Sequence, residues 1–183
     1  MKLHHTLLAS IALLTALATQ AQTVSVSPIH TDVNLGDTFS VDIQATGFPD
    51  KIFGGGYNLA FDPSILQVDA ITIPAAWEFA KSTGLLDPAS GTVSDIYFNT
   101  FVAPVSGDFL TASVTFKAIG AGTSAITLSE SPSFPFGNEF GDPVAINYVS
   151  GSATVAAVPE PSSLALLMTG LAGMTLVARR RRH

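Results

Sequence analysis

The sequence predicts an all-β protein, an antiparallel β-sandwich placed between an N-terminal signal helix and a C-terminal transmembrane helix. Three observations carry this. Apolar and polar residues alternate with a period of two in several stretches, the pattern of a strand with one buried and one wet face. Clusters of Gly, Pro, Asn and Asp punctuate the chain at near-regular intervals, with no helical period between the two ends. The ends themselves are continuously apolar and carry their basic residues on one side only.

Residues 1–21 have the order of a secretory signal peptide. Lys2 gives a positive start, residues 6–18 are apolar and uncharged, and Thr19-Gln20-Ala21 places small residues at both positions that a signal peptidase reads. Cleavage is expected after Ala21, with Ala18 as the alternative. The exported domain is then residues 22–157, one domain with room for a sizeable core.

Within that domain the clearest alternations are Phe39, Val41, Ile43 and Ala45, then Tyr57, Leu59 and Phe61, then Ala112, Val114, Phe116 and Ala118. Their inward positions are core by default. Shorter β-rich runs lie at 23–27, 67–73, 93–101, 125–128, 145–149 and 152–155. Turns are expected at 34–37, 47–50, 62–64, 90–91, 106–108 and 120–122. Only residues 63–66 and 74–79 look able to form a helical turn. Many short strands without helices between them select a two-layer antiparallel sandwich.

The last segment, residues 158–183, has three parts. Residues 158–161 contain Pro159, Glu160 and Pro161, residues 162–178 form the expected transmembrane helix, and residues 179–183 are the basic end. The apolar run from Leu164 to Ala178 makes a helix of about 22 Å at 1.5 Å per residue, short of a hydrocarbon core of about 30 Å. Snorkelling arginines make up the difference. Arg179, Arg180, Arg181 and Arg182 stay on the cytoplasmic side, which places the preceding domain outside. A soluble core helix would need a polar face, and this run has only threonines and glycines to offer.

In these residues the chain resembles the PEP-CTERM sorting tail of Gram-negative bacteria that build extracellular polysaccharide matrices. The resemblance rests on Pro159-Glu160-Pro161, the short apolar run and the terminal arginines, all in order. It implies an exosortase as processing partner, a transient inner-membrane anchor, and delivery to the cell surface or extracellular matrix. Whether the tail is retained or cut stays open.

Composition removes several function classes. The formal net charge is −6, and every arginine lies in the tail, so the exported domain keeps only Lys51, Lys81 and Lys117 as strong cations. That surface is wrong for nucleic acid, whose phosphates need clustered Lys and Arg. With no cysteine, disulfides, thiolate catalysis and cysteine-held zinc are excluded. His30 is the one histidine of residues 22–157, placed in an early polar loop, and no Gly-x-Ser-x-Gly elbow accompanies it. The acidic residues are scattered, and no pair is singled out by spacing for glycoside hydrolysis.

A second resemblance covers most of the exported domain. The order runs from Val24-Ser25-Val26 through Gly36-Asp37-Thr38-Phe39-Ser40-Val41 to the stretch from Tyr57 to Val68, where a strand ends in Phe61-Asp62-Pro63. It continues through Leu110 to Ala118 and closes with Val149-Ser150-Gly151-Ser152-Ala153-Thr154-Val155. This looks like a cohesin domain, a jelly-roll sandwich related to carbohydrate-binding modules. The resemblance implies a non-catalytic binding or adhesion module with a protein partner, dockerin-like, or a glycan. The chain departs from scaffolding cohesins in having one copy, no long Pro/Thr linker, and a sorting tail where a dockerin or surface-layer module would stand. The alternative function is a small secreted polysaccharide-active enzyme using unnamed carboxylates.

Three sets of residues are candidates for binding. Asp95, Tyr97 and Asn99 alternate with apolar neighbours in the run 93–101 and would give a flat polar and aromatic partner face. Against this stands an ordinary solvated strand face, and the resemblance favours partner binding, since cohesins bind across a sheet. Trp77, the single tryptophan, would stack on a sugar ring if exposed and would close the sandwich end if buried. The segment 134–143 holds Phe134, Phe136 and Phe140 beside the oxygen donors Asn138, Glu139 and Asp142. Calcium takes six to eight oxygens. This segment offers about half of the lower number, so the phenylalanines are expected to plug the sandwich and no cofactor is expected, with calcium as the alternative.

Overall fold

The structure, a computed structural model, describes residues 22–157. The signal segment, the expected terminal helices, Pro159-Glu160-Pro161 and Arg179 to Arg182 lie outside the described residues. The described part is all β. Its strands are β1 (Thr23–Ser27), β2 (His30–Asn34), β3 (Thr38–Ala60), β4 (Leu66–Thr72), β5 (Ala80–Ser82), β6 (Leu85–Asp87), β7 (Thr92–Asn99), β8 (Val105–Ala118), β9 (Gly122–Glu130), β10 (Gly137–Asn138), β11 (Asn147–Val149) and β12 (Gly151–Ala156).

Strand β3 organises both layers. Its first half pairs antiparallel with β1 and β8, and its second half pairs antiparallel with β7 and β9. One layer therefore runs β11-β1-β3-β8-β4, and the other runs from β5 and β6 through β7, β3 and β9 to β12 and β2. The expected turn at residues 47–50 lies inside this strand. Gly47 at φ 75° and register shifts on either side of Phe48 bend β3 from one layer to the other. Phe48 stays buried at the corner while Pro49, Asp50 and Lys51 emerge. Turn residues and sheet corners share their chemistry, because both need local departures from extended backbone. The expected turn at 106–108 is likewise inside β8, with Gly107 at φ 79°. The expected helical turns are single hydrogen-bonded turns, Leu66 N–H to Asp62 O at 2.9 Å and Trp77 N–H to Pro74 O at 3.2 Å.

The core lies between the layers. Val24, Val26, Val41, Ile43, Val114 and Phe116 come from one inner face, and Tyr57, Leu59, Ile96, Phe98, Ile126 and Val155 from the other. Phe116 is fully buried, with Phe61 edge-on at 5.5 Å and Phe39 stacked at 5.7 Å. Phe39, expected inside, is only half-buried at the rim. The Tyr57 hydroxyl shares a 2.9 Å hydrogen bond with Thr111 Oγ1, which itself donates to Ile43 O at 2.8 Å. Burial pushes the Tyr57 hydroxyl far above its ordinary value, so it remains a neutral donor.

Candidate functional site

Asp95, Tyr97 and Asn99 do share the outer side of β7, but a bulge sets their geometry. The ladder between β3 and β7 skips between Tyr57 and Leu59, and Asp95 sits at φ 58°. The irregularity resets the strand's parity, which is why Val93 and Ile96 are both buried although they are three apart. Asp95 is tied down on both sides. Its amide donates to Asn58 Oδ1 at 2.8 Å, and its carboxylate accepts from Ser131 Oγ at 2.6 Å. Asn58 Nδ2 donates to Glu130 O at 2.9 Å, so one small network fixes the bulge to the end of β9.

That network brings residues 131–144 across the sheet. Phe136 is buried between Phe48 at 5.9 Å and Phe98 at 5.6 Å, and it plugs the sandwich end. Phe134 stacks on Tyr97 with ring centroids 4.1 Å apart and planes 17° apart. The expected open face is therefore half roofed, and Asp95, Tyr97 and Asn99 are each partly buried. Two glycines of β3 make this possible. A Cβ on Gly55 would lie 2.4 Å from the Phe136 ring, and one on Gly56 would lie 2.8 Å from Phe134 Cβ.

Trp77 is corrected as a glycan contact. It is 2 % exposed, packs on Phe98 at 4.4 Å and Phe109 at 5.5 Å, and donates its ring N–H to Leu110 O at 3.0 Å. Phe79 and Phe101, by contrast, are exposed, at 67 % and 72 %. Sequence reasoning placed Phe101 in a strand, whereas β7 stops at Asn99. The signal for this was Glu78, whose carboxylate accepts the amides of Phe101 at 2.9 Å and Val102 at 3.0 Å and pins the following loop. Those amides, that of Val102 first, hold the Glu78 carboxyl down to about 2.

Of the oxygen donors of the 134–143 segment, Asn138 serves the backbone. Asn138 Oδ1 accepts the amides of Phe140 at 3.0 Å and Asp142 at 2.9 Å. Among the described residues no three His, Asp or Glu side chains are grouped to hold a metal ion. His30 lies on β2, not in a loop, and the fold gathers it with Ser152 and Asp32 at 2.9 and 3.0 Å. The Ser152 amide is engaged by Ile29 O at 2.9 Å, and the trio lies on an exposed strand face, so no oxyanion site accompanies it.

The fold is an all-β sandwich that presents an outer sheet surface on β7, β3 and β9. The cohesin domain model matches residues 24–155, and the PEP-CTERM protein-sorting motif matches residues 157–182. The chain belongs to the cohesin family and carries a PEP-CTERM sorting motif. Solved structures with the same fold include the third ScaC cohesin in complex with the ScaB dockerin from Acetivibrio cellulolyticus, at 23 % identity and TM-score 0.60, covering 74 % of this chain and 99 % of that one. The OlpA cohesin–dockerin complex from Clostridium thermocellum matches at 10 % identity and TM-score 0.62, covering 75 % and 100 %. A non-cellulosomal cohesin from the archaeon Archaeoglobus fulgidus matches at 14 % identity and TM-score 0.61, covering 79 % and 96 %. No curated protein matches the chain.

Proposed function

We propose that this chain is a non-catalytic adhesion module, exported, processed by an exosortase at its tail, and displayed at the cell surface, where it holds a protein partner. The observation that supports it most is the outer face of β7, β3 and β9, where Tyr97 stands beside Asn58 and Asp95 on a bulge locked by three side-chain hydrogen bonds. A fixed face loses little conformational freedom on association, and a half-buried tyrosine is the residue type that most often anchors an interface. The partner is dockerin-like in the sense that two of the structural neighbours were determined with dockerins.

The test is capture of a secreted protein by the immobilised domain, compared between the native chain and Tyr97→Ala. Loss of capture with a retained fold supports the reading, and equal capture defeats it. The tail is tested separately by the mass of the surface protein in cells with and without the exosortase. Replacing Pro159, Glu160 and Pro161 by alanine should leave insertion intact and abolish release, since proline fixes an extended backbone for a processing cleft. Deleting the four arginines should instead disturb orientation. Surface protein intact through Arg182 would show the segment to be an anchor only.

A further inference from the structure

A groove of about 230 Å³ runs between the edge of this face and the 131–144 segment. Phe53, Gly54, Tyr97, Asn99, Phe134 and Asn138 line it, and the full lining contains no charged side chain. The stacked pair of Tyr97 and Phe134 forms one wall. The Asn99 carboxamide and the Tyr97 hydroxyl make no hydrogen bond with the described residues, and Asn138 Nδ2 is likewise unpaired. At the rim, Phe53 stacks parallel to Phe101 with centroids 6.3 Å apart, and Phe101 meets Phe79 at 5.8 Å. The groove thus continues into an exposed aromatic row held in place by Glu78.

We propose that this groove binds one ring of a neutral glycan chain, whose neighbouring units run over Phe53, Phe101 and Phe79. Three features select that ligand class. The uncharged lining offers nothing to a uronate, sulfate or phosphate, which would lose its hydration without gaining a cation. An aliphatic anchor from a protein would bury the Asn99 amide unpaired, whereas a hydroxylated ring supplies both donors and acceptors to amide groups. The volume is below the roughly 300 to 1,000 Å³ of pockets that enclose a drug-sized ligand, so the space suits a single ring of a longer chain. Aromatic rings take the apolar C–H face of such a ring, and the hydroxylated rim faces the amides.

The glycan site is a second binding function that shares Tyr97 with the protein face but is argued from the groove lining and does not depend on the protein reading. A side chain at position 137 supplies the test, because a Cβ on Gly137 meets no heavy atom within 4 Å and would enter the open groove. The core described lies within residues 24–155, and the exported domain of residues 22–157 is used. Affinity electrophoresis in gels containing neutral glucan, mannan, xylan or galactan, with alginate as the anionic comparison, gives the readout. Retardation by at least one neutral polysaccharide is expected. It should weaken roughly tenfold in both Gly137→Leu and Asn99→Ala at unchanged melting temperature, and stay unchanged in Lys117→Ala. If Gly137→Leu unfolds, Asn99→Ala decides. No retardation in any neutral gel, retardation by alginate alone, or retardation unaffected by the variants that fold would overturn the proposal. Protein capture that persists in Gly137→Leu leaves the partner reading standing, so the two fail separately.

Discussion

The two halves of β3 use the same backbone in opposite ways. In the first half Val41, Ile43 and Ala45 point inward with full burial, and Asp42, Gln44 and Thr46 alternate outward. In the second half Gly54, Gly55 and Gly56 are all buried and bring no side chain at all. At Gly55 and Gly56 that space is filled from a distant segment by Phe136 and Phe134, and at Gly54 by the backbone of Phe98 and Asn99. One half builds the core with its own side chains, and the other forms a seat for a loop that shapes the binding surface. A strand that is weak by propensity becomes the place where function is assembled, since glycine in a strand marks close approach.

The largest effect should come from the regular half. Phe116→Ala removes a fully buried ring opposite Phe39 and should cost about 3 to 5 kcal/mol, measured by urea unfolding, which a cysteine-free domain of ordinary stability hardly survives. An unchanged unfolding midpoint would break the assignment of β8 as a core strand. Next comes the glycine half, where Gly55→Ala forces a methyl into the Phe136 ring and should cost about 1 to 3 kcal/mol. Gly137→Ala, at a position open to solvent, should cost far less, and equal costs would erase the contrast between packed and open glycines.

Within β7 the comparison sharpens. Phe98→Ala should unfold the domain much as Phe116→Ala does, because both rings are buried. Tyr97→Ala should lose only its stack on Phe134, about 0.5 to 1.5 kcal/mol, while binding falls. The reverse ranking would mean that the inner and outer sides of β7 are exchanged.

The smallest effect concerns pH. Glu78 is exposed, and its carboxyl is held down to about 2 from an ordinary 4.5 by the amide of Val102, the Thr100 side chain and the amide of Phe101. A depressed folded value means that its contribution is complete above 4.5 and is lost as pH falls through about 2. The amide resonances of Phe101 and Val102 should therefore hold steady down to mildly acidic pH and move only near the lower value. Movement centred near 4.5 would show that the loop carrying Phe101 is not braced by Glu78.

Much of the fold was legible along the chain. The alternations at 39–45, 57–61 and 112–118 fall on strands, because a period of two with one apolar face has a single stable use in a folded domain. The corner at Gly47 was read as a turn, since Gly-Phe-Pro-Asp has turn chemistry whether the chain reverses or passes between sheets. Asp95, Tyr97 and Asn99 could be placed on the outer side of β7 because they alternate with buried residues. The bulge beneath them was not, because it depends on Asn58 and Ser131, which are distant in sequence. Trp77 shows the same limit, as its burial depends on Phe98, Phe109 and the Leu110 carbonyl across the layers.

By itself the sequence determined the class of the domain, its strands and its core, and the composition of its two ends. Hydrophobic periodicity and charge placement are local properties that need no partner to be read. Tertiary structure alone decided which aromatics are buried and which are displayed. Trp77 and Phe79 are two residues apart, yet one closes the core and the other faces solvent. The physical reason is that exposure of a side chain is set by what the rest of the chain lays over it. Here that covering is fixed by two glycines, a bulge and one phenylalanine loop.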